Sequence, residues 1–171
     1  MDVQTFYFTT SENIPNNPDL PVVIDRQAIK AVRGSMADAF AERFQKHNWR
    51  GIWRWSIYDF HHYHSNAHEI LGVAAGEAKV VVGGPDGKTL SIRSGDTILL
   101  PAGTGHKNLR CSPDFQVVGA YPPGQEEKDL MRNDQQLDTV IRQRIKDVAL
   151  PTTDPVFGTD GPLRQEWCSP M

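Results

Sequence analysis

Between residues 50 and 121 the chain is a succession of short strand-forming runs broken by glycine-rich turns, with no helical stretch between them. Parallel strands need crossover connections of a dozen or more residues, usually helical, and this region has no room for them. The runs RGIWRWSIYDF at 50–60, AKVVV at 78–82, TLSI at 89–92, TILL at 97–100 and FQVVGAY at 115–121 point to an antiparallel sandwich or barrel. The connection GGPDGK at 83–88 reads as a hairpin, with Asp86 and Gly87 supplying the positive φ such turns need.

The flanks read differently. VQTFYFTT at 3–10 and VVI at 22–24 are short strand candidates, separated by a proline-rich turn at 14–21. Met36, Phe40 and Phe44 recur every four residues, with Ala37 and Ala41 beside them and Ser35 as a cap, which predicts a helix over 35–47. His47 closes that helix and complements its C-terminus. A second helix is expected over 134–146, its charges forming a solvated face. The tail carries Val156, Phe157, Leu163 and Trp167 among prolines and glycines. It is too irregular to fold alone and too apolar to stay free.

At 171 residues the chain suits one domain, which buries about 70% of the surface its unfolded state exposes. The expected division of 1–171 is an N-terminal arm and helix (1–49), a metal-binding barrel core (50–123), and a C-terminal helix with an extended tail (124–171). That tail packs on the barrel or on a partner subunit. With 18 basic and 21 acidic side chains the formal charge is −3, so no basic field gathers phosphates and nucleic acid is not an expected partner. No apolar stretch approaches the roughly 20 residues of a spanning helix, and the N-terminus lacks a basic segment followed by an apolar run. Two cysteines, Cys111 and Cys168, allow at most one bridge, and a reduced cytoplasmic protein is the simpler expectation.

Five of the six histidines fall at 61, 62, 64, 68 and 106. If the strand runs unbroken to residue 64, Arg54, Ser56, Tyr58, Phe60, His62 and His64 share one face, while Trp53, Trp55 and Ile57 share the other. Two imidazoles spaced i, i+2 on a strand converge, which suits one metal ion. Glu69 opens an apolar segment, where a carboxylate is costly unless it is paired or coordinating. His106 follows the strand that ends at Pro101. Three imidazoles and a carboxylate suit a divalent transition metal such as Fe, Mn, Ni or Zn rather than Ca or Mg. His68 faces away on a regular strand; a bulge in the segment before it would turn it inward as an alternative ligand. His61 reads as a surface or interface residue.

These residues resemble the two cupin motifs. HYHSNAHE at 62–69, followed by Gly76, resembles the first: HxH, a short gap, E, six residues, G. Gly95 followed by Pro101, Gly103 and His106 resembles the second. That motif often ends in Asn four residues after its His, where this chain has Arg110. A wider likeness runs through IPNNP at 14–18, PAGTGHKNL at 101–109, VGAYPPGQ at 118–125 and DPVFGTDGPL at 154–163, and is similar to the YjlB-type bacterial cupins. The resemblance implies an all-β fold, a jelly-roll barrel or double-stranded β-helix, with one N-terminal helix and a short C-terminal one. It implies His62, His64, Glu69 and His106 as metal ligands, the same four that strand parity and ligand chemistry together select.

Around that centre, Tyr58, Arg54 and Tyr121 are the candidates for contact with a bound molecule, Arg54 as a partner for a carboxylate. The expected function is that of a metal-dependent enzyme on a small organic molecule, with oxygen chemistry first and isomerisation next by family frequency. The alternatives are a cupin that binds a sugar-like ligand without turnover, and a purely structural metal. A homodimer is expected, because small cupins often pair and both ends of the chain carry apolar extensions.

Overall fold

The short runs and their turns assemble into two antiparallel sheets. The computed structural model describes residues 2–168. The N-terminal part holds β1 (Asp2–Phe6), β2 (Val22–Arg26) and α1 (Met36–Lys46). The barrel strands are β3 (Arg50–Trp55), β4 (His62–Tyr63), β5 (Glu69–Ala75), β6 (Glu77–Val82), β7 (Lys88–Arg93), β8 (Thr97–Leu100), β9 (His106–Cys111) and β10 (Gln116–Tyr121). The chain closes with β11 (Met131–Arg132), α2 (Thr139–Lys146) and α3 (Pro162–Trp167). One sheet runs β1-β2-β8-β5-β10-β3 and the other β11-β4-β9-β6-β7. Consecutive strands often lie in different sheets, the winding of a double-stranded β-helix, and the expected all-β class holds.

Strand alternation divides the apolar residues between two layers. Leu71 and Val73 of β5 meet Val80, Val82, Ile92 and Val117 between the sheets. Ile70 and Ala74 point to the opposite face, against Phe40 and Phe44 of α1 and Leu163 and Trp167 of α3. β5 is therefore buried on both faces over Glu69–Ala74 and reads as an unbroken apolar run after Glu69. α1 lies close to this strand: a Cβ on Gly72 would stand 2.6 Å from the Phe40 ring. The helix starts at a Ser35 cap that accepts from the Asp38 amide at 3.1 Å, as its sequence predicts.

The irregular tail docks on its own barrel. The Asp154 carboxylate accepts hydrogen bonds from the amides of Val156, Phe157 and Leu163, which folds the segment back on itself. Trp167 then donates its indole N–H to the Pro21 carbonyl at 2.9 Å. None of the described helices is long and apolar enough to cross a membrane.

Several elements differ from the sequence reading. The run expected as one strand to residue 64 ends at Trp55, and residues 56–61 cross from one sheet to the other before β4. The amide of Asn108 in β9 anchors this crossing at the Tyr58 carbonyl, 2.9 Å away. β9 itself was not anticipated, because its sequence, HKNLRC, is largely exposed after its first residue and holds none of the β-branched or aromatic strand formers. α2 begins at Thr139 rather than at 134, where Asp138 caps it by accepting from the Ile141 amide at 2.8 Å. The six-residue α3, opened by Pro162 in its first turn, was also unforeseen.

Candidate metal centre

β4 and β9 are antiparallel neighbours, and His62 is the register partner of His106. Their rings lie 4.0 Å apart between centroids. His64 follows β4 directly, and Glu69 heads β5 in the facing sheet. All four side chains are buried. The three imidazoles offer nitrogen atoms that lie within 4.8 Å of one another. Glu69 joins them from across the barrel, with Oε2 3.4 Å from His64 Nε2 and Oε1 3.4 Å from His106 Nε2.

The backbone sets the imidazole tautomers. Nδ1 of His62 meets the Phe60 carbonyl at 2.9 Å, that of His64 the Asp129 carbonyl at 2.5 Å, and that of His106 the Thr104 carbonyl at 3.0 Å. A carbonyl only accepts, so each Nδ1 carries a hydrogen, and each ring, when neutral, turns an Nε2 lone pair inward. Metal-binding imidazoles are commonly held in this way by their second nitrogen. Glu69 is positioned by Tyr121, which donates its hydroxyl to Oε2 at 2.6 Å. Trp53 in turn donates its indole N–H to the Tyr121 oxygen at 2.8 Å.

Burial and charge act in opposite directions within the group. Burial, helped by the charge of neighbouring His106, pushes His62 down to about 2, so this ring is neutral. Burial would also lower His64, but the Glu69 charge and hydrogen bond and the Asp129 carbonyl outweigh it and raise His64. Glu69 is held well below the usual carboxylate range: burial opposes its ionisation, and the contacts with His64 and His106 prevail. Burial and then the Glu69 charge push the Tyr121 phenol upward, so it stays a donor.

Beside the four residues lies a cavity of about 140 Å³ with Trp53, Trp55, Ile57, Tyr58 and Leu71 in its walls and Lys128 among its lining residues. An aromatic run leads along it: Trp55 to Tyr58 at 5.1 Å, Tyr58 to Phe60 at 4.8 Å, and Tyr58 to His62 at 5.3 Å between ring centroids. The Arg132 guanidinium covers Phe60 at 3.7 Å, and the Lys128 ammonium lies 4.8 Å from the Tyr121 ring centre. A wider depression of about 730 Å³, with Arg26, Lys79, Arg93, Arg110 and Cys111 in its lining, shares no residue with this group.

The structure thus brings together His62, His64, Glu69 and His106, and adds Tyr58 and Tyr121 beside them. Arg54 does not belong there, which corrects its placement from sequence. It is exposed and pairs with Asp38 of α1 at 2.7 Å. The crossing at 56–61 inverts the parity, so Trp53 and Trp55 face the cavity and Arg54 faces out; a one-residue slip moves every side chain to the other face. His68 is also elsewhere. Its Nδ1 accepts from the Ala102 amide at 2.9 Å and its ring packs 4.9 Å from Trp167, so the inward bulge is not realised.

Sequence reasoning missed the strap at 125–132. Asp129 holds His64 through its carbonyl, and its side chain accepts from the Ser65 amide at 2.7 Å and from the Ser65 hydroxyl. Asn66 bonds the Glu127 carbonyl and the Asp129 amide. The Gln125 side chain accepts from the His68 amide at 2.9 Å. No periodicity announces such a segment, because its work is done by main-chain carbonyls and short polar side chains.

No family model matches the chain. It is 39% identical over 167 residues to the uncharacterized protein YjlB of Bacillus subtilis (strain 168), and the match covers 97% of each chain. Among solved structures it is similar to a protein with a double-stranded β-helix domain from Klebsiella pneumoniae, at 18% identity and a TM-score of 0.38, covering 74% of this chain and 91% of that one. It is also similar to a DUF861 family protein from Thermotoga maritima, at 21% identity and a TM-score of 0.35, covering 57% of this chain and 96% of that one. A third likeness is to an acireductone dioxygenase from Bacillus anthracis, at 18% identity and a TM-score of 0.35, covering 50% of this chain and 57% of that one. None of these three likenesses bears on the reaction. On its nearly full-length match to YjlB, and with both cupin motifs in place around one buried group, the chain belongs to the YjlB family of cupin proteins.

Proposed function

We propose that this chain is a metal-dependent enzyme acting on a small organic molecule, with His62, His64, His106 and Glu69 holding one divalent transition ion, Fe, Mn, Ni or Zn. One observation carries the reading. Two imidazole Nε2 atoms stand 3.4 Å from the oxygens of a buried carboxylate while their Nδ1 atoms are committed to carbonyls. Lone pairs facing a carboxylate repel unless a cation lies among them, and a nitrogen-rich set with one oxygen selects transition metals over Ca or Mg. His64 supplies that cation itself only by taking a proton.

A six-coordinate ion held by these four residues would keep positions for oxygen, water or a chelating substrate, and would supply Lewis-acid or redox chemistry there. The chain's own residues do the rest. The three carbonyls fix the imidazole tautomers, and Tyr121, itself held by Trp53, aims the Glu69 carboxylate. Trp53, Ile57 and Leu71 make an apolar wall that limits water beside the centre, and Tyr58 lies edge-on to His62 where a bound molecule would rest. Oxygen chemistry is the first reaction in this reading and isomerisation the second.

The setting proposed is the cytoplasm, where the unpaired Cys111 and Cys168 stay reduced. A homodimer rests on the family resemblance, because the apolar tail that also implied a partner is docked on its own sheet. The enzymatic reading is tested by oxygen uptake and product analysis with metal-loaded protein and a panel of diketones, thiols and catechols. Turnover that disappears in Glu69→Ala is the expected result. Saturable binding of a sugar-like ligand with no turnover of any panel member would instead favour the non-catalytic binding role.

A further inference from the structure

We infer that the cavity beside the four-residue centre takes a single-ring planar anion, its ring against Trp55 and Tyr58 and its anionic group at Lys128. The inference rests on the reading of this site as a ligand-accepting metal centre and narrows it to a substrate class.

Size comes first. The cavity is about 140 Å³, close to the roughly 150 Å³ of an engineered apolar cavity that admits benzene. One ring fills such a space, and most of a nucleotide or a disaccharide would lie outside it. Shape is the second constraint. Trp55 and Tyr58 meet at 64° with centroids 5.1 Å apart, which makes a corner of two aromatic faces. Trp55 is 56% exposed and Tyr58 40% exposed, although Trp53 two residues earlier lies largely covered on the same wall. Large aromatic surface left open beside a cavity gains when a flat apolar body covers it.

Charge is the third. Lys128 is the only lysine or arginine lining the cavity, and it makes no ion pair among the described residues. Among the described residues it lies over the face of Tyr121, at 4.8 Å. The nearby Arg132 is spent on Phe60. The acidic group in the cavity, Glu69, is already engaged by Tyr121, His64 and His106. Lys128 is exposed, so water hydrates its ammonium when no ring is bound; an anionic group on the bound ring adds a charge-assisted contact that a neutral ring lacks.

The test uses full-length protein loaded with zinc, which is redox-silent, and titrates benzoate, benzamide and acetate while tryptophan fluorescence or heat is recorded. Zinc content is measured on the same samples. Benzoate is expected to bind about tenfold more tightly than acetate or benzamide, a difference of one charged contact or one stacked ring. Lys128→Met should remove the benzoate advantage over benzamide. Trp55→Ala should weaken both aromatic probes about threefold to tenfold, and Trp55→Phe should restore them; circular dichroism checks that each variant is folded. Equal affinity for benzoate and acetate, or benzoate binding unchanged in Lys128→Met, would overturn the inference, leaving Lys128 as a solvated cover for Tyr121. Full zinc occupancy without discrimination sinks this inference alone. Discrimination by protein that binds no zinc supports the substrate class and contradicts the metal reading.

Discussion

Tyr121 and Glu69, 52 residues apart in sequence, share a 2.6 Å hydrogen bond inside the barrel, and Trp53 fixes the tyrosine from behind at 2.8 Å. Neither contact is local, so the carboxylate is aimed by the closing of the six-stranded sheet itself. β10 carries Tyr121, and its neighbours in that sheet are β5 with Glu69 and β3 with Trp53.

Replacing Tyr121 with Phe deletes the donor to Glu69 and leaves the Trp53 N–H without its acceptor. The expected loss of stability is about 1–3 kcal/mol, the cost of a buried polar group left unpaired. Metal affinity should fall about 10- to 100-fold, as is typical when the partner of a ligand is lost. Urea denaturation and competition with a chromophoric chelator measure the two effects separately.

Gly72 is where α1 rests on β5. A methyl group there would meet the Phe40 ring at 2.6 Å, in the fully buried layer behind the sheet. Gly72→Ala is therefore expected to cost about 1–3 kcal/mol through overpacking. Combining it with Phe40→Leu should recover part of that loss, a coupling that a double-mutant cycle reads directly.

Asp25 on β2 is raised from 3.8 to about 6, first by burial and then by the charge of Asp154, with Asp96 and Asp2 adding to it. The folded state holds this proton more tightly than the unfolded chain. The resulting stability is fully present below pH 3.8 and is lost as pH rises through about 6. Asp25→Asn removes that dependence. The variant should gain on the wild type by on the order of 1–3 kcal/mol between pH 4 and pH 7, as followed by thermal unfolding across that range.

Arg54→Ala breaks only an exposed pair with Asp38. Stability should change by less than about 1 kcal/mol, and neither metal content nor benzoate affinity should move. A tenfold loss of benzoate binding would return Arg54 to the cavity, where the unbroken strand had placed it.

The contrast between Arg54 and Glu69 shows where the sequence was legible. From Glu69 onward the alternation is carried by a strand buried on both faces, so parity holds: Leu71 and Val73 point inward, while Ile70 and Ala74 face α1 and the tail. The motif spacing likewise placed His62, His64 and His106 in one group, because each sits at or beside an end of a short paired strand. Residues 56–61 failed because Ser56, Ile57, Tyr58 and Phe60 include strong strand formers and the segment has no glycine or proline to announce the sheet crossing. Its course is held at Tyr58 by a partner, the Asn108 amide, that lies about fifty residues away. The strap at 125–132 was invisible for a related reason. Its polar composition matches a solvated loop, and its contribution to His64 is a backbone carbonyl, a group every residue has.

In the proposed centre, three imidazoles and one carboxylate hold a single ion. The direct measurement is elemental analysis of the full-length protein purified without chelators, beside His64→Ala and Glu69→Ala prepared identically and checked for native circular dichroism. About one transition-metal ion per chain in the wild type, lost from both folded variants, is the result expected when all the ligand positions are needed. Full metal content in both variants, or none in the wild type after incubation with Fe, Mn, Ni and Zn, would contradict it.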